Sequence, residues 1–134
     1  MMPMDLLFPD PDVEPLPPEE VRIQNITLEP YPDGCRVRVD LELTPFLKKP
    51  HGEIQITDQS GRIVAETSFI EAVTPKFEMI LHLKSFDPDG EYLASITLFY
   101  SQEVEDEVVD GRTLVSLVKN IVDQKRVNFK ILQT

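Results

Sequence analysis

The sequence has one cysteine, no tryptophan and no long apolar run. A single cysteine, Cys35, excludes an intramolecular disulfide and is typical of a protein from a reducing compartment. No stretch approaches the ~20 apolar residues that a membrane-spanning helix needs. The first residues carry no basic group, which is unlike a signal peptide. We therefore expect a cytoplasmic protein.

Basic residues are also scarce: 13 Lys and Arg stand against 24 Asp and Glu, which gives a net charge of −11 at pH 7. Nucleic acids and anionic membranes are both bound through a cationic surface. The charge therefore argues against a nucleic-acid partner and against a membrane partner. A protein partner or self-association is the interaction that we expect, and a small ligand is not expected.

Residues 1–20 differ in composition from the rest, with six of the 12 prolines, six acids and no base. Proline fixes φ and lacks an amide donor, which keeps such a segment out of sheets and long helices. We expect a mobile, extended acidic tail over residues 1–20 and one domain over residues 21–134. The apolar residues 6–8 and Leu16 are the points at which this tail would dock.

From residue 21 onward, short alternating runs lie between turn signals, as in a β-sandwich or barrel. The step from Ile23 to Ile26 breaks the period of two and predicts a β-bulge near Asn25. Two longer connections, 44–52 and 72–76, are expected to cross between sheets. The pattern predicts an all-β sandwich of two antiparallel sheets. The predicted strands span residues 21–31, 35–43, 53–58, 62–70, 77–84, 90–100 and 126–133.

Residues 101–123 are expected to form an acidic excursion from this sandwich. Five acids lie between residues 103 and 110. The apolar residues that follow fall at helical spacing and favour a short helix over 112–123, but their Val and Ile content also permits a strand. Both alternatives stay open. The apolar residues concerned are Leu114, Leu117, Val118, Ile121 and Val122.

The run from Asp87 to Leu98 resembles the late strand of bacterial immunoglobulin-like and fibronectin-III-like domains. In those domains a Gly-x-Tyr step opens the strand and the tyrosine forms a corner. The resemblance implies an immunoglobulin-like sandwich with Tyr92 as the corner residue. The sequence is also similar to small uncharacterised bacterial proteins of this type. It departs from standard members by lacking tryptophan and paired cysteines.

No constellation of residues in the sequence indicates catalysis. A reactive cysteine needs a cationic neighbour, and a strand would point Arg36 away from Cys35, so we expect an inert thiol. His51 and His82 lie 16 and 47 residues from Cys35 along the chain, and His82 is expected at a surface or an interface. We predict no catalytic residue, no metal, no cofactor and no enzymatic activity. Two acidic stretches resemble calcium ligands but do not match the EF-hand spacing: Asp87, Asp89 and Glu91, and then Glu103, Glu105, Asp106, Glu107 and Asp110.

Several apolar residues lie on the strand faces opposite to the predicted inward faces, which indicates a second covered surface. The cover would be the 112–123 segment, the tail or another subunit. The function expected from these features is a non-enzymatic protein-interaction or accessory module. The alternative is a small-ligand or carbohydrate-binding domain, which requires Tyr31, Phe46 and Tyr100 to meet at one pocket. The residues outside the alternation are Val64, Ile70, Ile80, Leu93 and Phe99.

Overall fold

The computed structural model describes residues 14–84, 90–109 and 111–131. Within them lie seven strands and a 3₁₀ turn at Pro18–Glu20. No helix in these residues is long and apolar enough to cross a membrane. The strands, named in chain order, are β1 (Ile23–Pro30), β2 (Arg36–Leu43), β3 (His51–Thr57), β4 (Ile63–Phe69), β5 (Lys76–His82), β6 (Glu91–Val109) and β7 (Arg112–Lys130).

The strands form two antiparallel sheets that share one core. One sheet has the order β1-β2-β5 and the other has the order β4-β3-β6-β7. The predicted two-sheet, all-β sandwich is confirmed, and so are the two crossings after β2 and after β4. In constant-type immunoglobulin domains the fourth strand lies in the sheet of the first, second and fifth strands. Here β4 pairs with β3 instead.

Apolar and polar residues alternate along the strands, because one face of each sheet is buried in the core and the other faces solvent. In β2, Val37, Val39, Leu41 and Leu43 are each at most 1% exposed. Burying such a side chain contributes about 1.5–3 kcal/mol. The fully buried residues of the opposite sheet include Ile54, Ile56, Ile96 and Leu98.

The predicted bulge in β1 is confirmed, since the register with β2 shifts between Ile23 and Asn25. A carboxylate crosses to this point from the other sheet. The Ile23 amide donates to Asp123 Oδ2 over 2.8 Å. A bulge leaves an amide without a ladder partner, and here Asp123 satisfies it while joining β1 to β7.

Gly52 permits an aromatic ring to lie over the backbone of β3. It pairs with Phe69 of β4, and a Cβ built at Gly52 would lie 2.1 Å from Phe69 Cζ. The Phe69 ring meets Phe77 of the other sheet edge to face, with centroids 4.9 Å apart. Glycine at this position therefore makes room for an aromatic contact that joins the two sheets.

The described end of the tail, residues 14–20, reaches the sandwich through Leu16. Its amide donates to the Pro45 carbonyl over 3.1 Å, and its carbonyl accepts from the Leu47 amide over 3.0 Å. The Leu16 side chain packs against the core cluster. The prediction of a mobile tail over residues 1–20 concerns mainly residues 1–13, which lie outside the described part of the chain.

The helix favoured over 112–123 is wrong, because this segment is the first part of β7. It pairs with β6 through Val109↔Arg112, after a turn in which Gly111 has φ 74°. Every residue of a strand in a long hairpin gains a cross-strand neighbour, and this outweighs the helical spacing of the apolar residues. The predicted strands 90–100 and 126–133 accordingly cover only the sandwich part of two longer strands, β6 and β7.

Candidate functional site

The outer half of the β6–β7 hairpin extends beyond the sandwich. β3 accompanies β6 only as far as the pair His51↔Phe99, whereas β6 and β7 remain paired out to Val109↔Arg112. A register shift between Leu98 and Phe99 marks the departure. We call residues 100–109 and 111–121 the arm, and the end of the sandwich from which they leave the arm end.

Two loops lie beside the base of the arm. The loop before β3 contacts β6, because the Tyr100 hydroxyl donates to the Lys48 carbonyl over 2.8 Å. The loop after β4 contacts the loop before β3 through the Ala72 amide, which donates to the Pro50 carbonyl over 2.9 Å. Residues 44–50 and 70–75 therefore share the arm end with the hairpin.

A polar and aromatic cluster anchors the arm on the outer face of the larger sheet. His51 stands against the Phe99 ring with centroids 5.5 Å apart, and its Nδ1 accepts from the Glu71 amide over 3.0 Å. Lys119 Nζ lies 4.8 Å from the Phe99 ring centroid and forms an ion pair with Glu53. Phe99 is only 8% exposed as a result, so β7 supplies part of the cover expected for this residue.

The exposed apolar side chains gather at the arm end. Seven of the nine large ones that are exposed among the described residues belong to the arm or to its two neighbouring loops. Of the other two, Ile63 lies beside the 58–62 turn at the opposite end, and Ile80 lies on the outer face of the smaller sheet. The seven are Leu47, Ile70, Val73, Val104, Leu117, Val118 and Ile121.

A groove of about 520 Å³ lies on the inner face at the base of the arm. Tyr100 forms part of its wall, but the residue is only 4% exposed, and burial raises the pKa of its hydroxyl. The Asn120 amide donates to Gln102 Oε1 over 3.2 Å. The groove is lined by Pro18, Glu19, Lys48, Tyr100, Ser101, Gln102, Glu103, Asn120 and Val122.

The three aromatic residues considered for ligand binding do not meet. Tyr31 precedes β2, where Arg36 stacks on its ring at 4.5 Å. Phe46 follows β2, at the other end of that strand, and packs against the core. Of the three, only Tyr100 lines the groove.

Cys35 has the environment of an unreactive thiol. Partial burial, followed by the hydrogen bond with Asp33, raises the pKa of its thiol. The Asp33 carboxylate accepts from the Cys35 amide over 3.0 Å and from Arg36 Nε over 2.7 Å. Arg36 is thus paired with a carboxylate in the same turn, which leaves it a poor activator of the sulfur.

The two acidic stretches give no described cluster of ligands. Asp87, Asp89 and Asp110 lie outside the described residues, and Glu91 faces Lys130 with 3.5 Å between Oε1 and Nζ. Among the residues whose side chains the structure describes, 14–84, 90–104, 111 and 116–131, no group of three His, Cys, Asp or Glu converges as a metal site. His82 is exposed.

The arm itself was not expected, although the sequence carries a signal for it. Asp-Gly between β-branched runs is a strong indication of a tight hairpin. Asp110-Gly111 is such a pair, with Val108-Val109 before it and Arg112-Thr113 after it. The acidic run on one side and the helical spacing on the other obscured this signal.

The chain is therefore a seven-stranded, two-sheet sandwich with a projecting hairpin, and solved structures contain similar sandwiches. The β-glucuronidase of Bifidobacterium dentium, solved with coumarin-3-O-glucuronide, superposes with a TM-score of 0.54 at 17% identity; the match covers 83% of this chain and 18% of that one. A glycosyl hydrolase family 2 member from Bacteroides cellulosilyticus gives 0.50 at 16% identity, covering 83% and 14%.

At these identities the likeness shows the fold alone. This chain spans less than a fifth of the length of either glycosidase chain. No protein-family model and no curated protein matches the sequence.

Proposed function

We propose that the chain is a non-enzymatic accessory module that binds a protein partner through its arm end. The observation that carries this is the position of the large exposed apolar side chains in the described part of the chain, seven of nine at one end. Scattered apolar residues are normal on a protein surface, whereas their concentration in one region is typical of an interaction site. The net charge of −11 keeps the rest of the surface soluble.

Two further observations support an accessory role. Similar sandwiches form a small part of much larger chains, 18% and 14% of the two glycosidases. Among the described residues of this chain, the most exposed large apolar ones, Val73 at 79% and Ile70 at 77%, lie in a loop that the sandwich holds in place. Binding residues are often carried in this way, on loops that a rigid scaffold positions.

The test compares capture of a partner by matched surface variants. The chain is immobilised, partners are identified by mass spectrometry, and the purified partner is then titrated. Ile70→Ser combined with Val73→Ser should weaken binding at least tenfold, because the contact is apolar. Ile80→Ser, a change at a residue that is 50% exposed on the smaller sheet, should leave it unchanged.

Two results would contradict the proposal. Equal affinity of the two variants for the partner would show that the arm end takes no part in the interaction. Turnover of a substrate by the isolated chain, tested first with aryl glucuronides and other aryl glycosides, would replace an accessory role with a catalytic one.

A carbohydrate-binding role is the second candidate, and the groove at the base of the arm is the observation that favours it. Amide and charged groups from Lys48, Gln102 and Asn120 line this space of about 520 Å³, which is within the range of small-ligand sites. Because Tyr100 is only 4% exposed, it offers little ring surface for stacking a sugar. Titration with glucuronic acid by NMR decides the matter: shifts confined to Gln102 and Asn120 would favour this role, and no shift would exclude glucuronate.

A further inference from the structure

The arm has no third strand in the described part of the chain. β3 ends beside Phe99, and β1 reaches β7 at the base of the arm, where the Ile23 amide donates to Asp123. In the strand ladders of the described residues, the part of β7 from residue 112 to 121 pairs with β6 alone. An isolated two-stranded ribbon is marginally stable in water, and a third strand stabilises it.

The two free edges of the arm differ in charge. The outer part of β6 carries four acids in residues 100–109, and two identical strands of this kind would repel one another. Residues 111–122 on the β7 side contain no acid and only two bases. One of these, Lys119, is engaged with Glu53 and with the Phe99 ring. The acids of β6 thus disfavour pairing of this strand with a second copy of itself, and the part of β7 in the arm carries no acid that would do the same.

β7 also exposes apolar side chains on both of its faces. Leu117 is 72% exposed and Ile121 is 60% exposed on one face, and Val118 is 42% exposed on the other. A strand added at the edge lies close enough for its side chains to cover both faces, since cross-strand Cβ atoms are about 4.5–5.5 Å apart. An extended strand with little charge is therefore the occupant that fits this edge.

We infer that this occupant is the β7 strand of a second copy, paired antiparallel about a two-fold axis close to Leu117. The inference deepens the proposed function by naming one contact of the arm. The occupying strand must present apolar side chains on both faces and must project from its own body, and the arm meets both conditions. The projecting part of β7, from 112 to 121, has its midpoint beside Leu117, so a symmetric pairing of this part is centred there.

The length of the arm makes such a dimer compatible with the charge of the chain. Ten paired residues at about 3.4 Å each hold the two bodies roughly 34 Å apart. This is several times the Debye length of about 8 Å at physiological ionic strength. The repulsion between the bodies of two chains, each of net charge −11 in total, is then largely screened. A contact of one strand pair is small, so we expect a dissociation constant of roughly 1–100 µM.

The test is sedimentation equilibrium of the whole chain from 5 to 500 µM, at low and at high salt. We expect a monomer–dimer equilibrium that salt strengthens, because salt screens the repulsion of like charges while the apolar contact remains. Leu117→Lys should raise the dissociation constant at least tenfold. The lysine faces Glu103 within its own arm, which preserves the monomer, but the two lysines of a dimer would lie side by side.

Two other variants complete the design. Val118→Lys introduces the same charge on the opposite face of β7, opposite Gln102, and should weaken the dimer in the same way. Ile63→Lys is the matched control, a residue that is 45% exposed at the far end of the sandwich, and should leave the dimer unchanged. Circular dichroism checks that each variant is folded.

Four outcomes would overturn the inference: a monomer at every concentration, a dimer insensitive to both arm variants, a dimer disrupted equally by Ile63→Lys, or an open-ended series of larger species. A monomer whose partner binding is lost in Leu117→Lys would mean that a foreign strand occupies the edge. That last result would overturn the dimer and support the proposed function. A dimer that binds no partner through the arm end would support this inference and contradict the proposed function.

Discussion

The contact between Gly52 and Phe69 permits a quantitative prediction about how the sheets are joined. In Gly52→Ala the new Cβ would lie 2.1 Å and 2.3 Å from two atoms of the Phe69 ring. No real Cβ tolerates such distances, so the ring must move away from Phe77, its edge-to-face partner at 4.9 Å. Forcing extra volume into a packed site costs about 1–3 kcal/mol. We expect the free energy of unfolding to fall by that amount.

The sign should reverse once the ring is removed. A Phe69→Ala background removes the three atoms nearest to the new Cβ, and replacing glycine by alanine within a strand then stabilises the fold by about 0.5–1 kcal/mol. A double-mutant cycle by urea unfolding should therefore show a coupling energy of roughly 1.5–4 kcal/mol. Additive effects of the two changes would show that the ring does not lie over Gly52, and the reasoning would fail.

Three further predictions concern the core and the turns. Leu41→Ala should lower the free energy of unfolding by about 2–5 kcal/mol in urea titrations, because Leu41 is 1% exposed in the middle of β2; a change below 1 kcal/mol would contradict its place in the core. The Ser60 hydroxyl above all lowers the pKa of Asp58 to about 2. Since the folded pKa lies below the unfolded value, Asp58 stabilises the fold above pH ~4, and this stability is lost as the pH falls toward 2. Asp58→Asn should therefore differ most from the parent at pH 5 and least near pH 2, and a difference independent of pH would refute the assignment. Cys35 should react with a thiol-specific disulfide reagent more slowly than free cysteine at pH 8, because burial and Asp33 raise its pKa; faster reaction would indicate an activated thiol.

The body of the sandwich was predictable because its strands alternate. In β2 each inward residue is apolar and each outward residue is charged, so one face of the strand had to be buried. The bulge near Asn25 followed from the same argument, since only an extra residue returns the pattern to phase. These features depend on neighbours along the chain, which the sequence displays directly.

The conformation of residues 112–123 was not predictable in this way. Leu114, Leu117 and Val118 satisfy a helical spacing, and the same stretch is rich enough in Val and Ile to form a strand. Pairing with β6 decides between the two, and that pairing depends on the turn at Gly111. Periodicity within the segment does not contain this information.

The arm was harder still to foresee, because it arises from a mismatch of lengths. β3 has 7 residues and each strand of the hairpin has 19. Only the register between β3 and β6 shows where the excess falls, and its last pair joins residues more than forty positions apart, His51 and Phe99. A surface created by such a difference has no motif of its own in the sequence.

The continuity of β6 has a consequence for amide hydrogen exchange. Residues 93–99 lie between two strands, whereas residues 101–104 pair only with β7 in the part of the chain described. Exchange from the first group requires opening of the sandwich, and exchange from the second requires only fraying of a ribbon. In the monomer, protection should therefore drop abruptly at Tyr100 within one unbroken strand. Amides on the two sides of Tyr100 have the same strand conformation and would then differ in exchange rate by orders of magnitude.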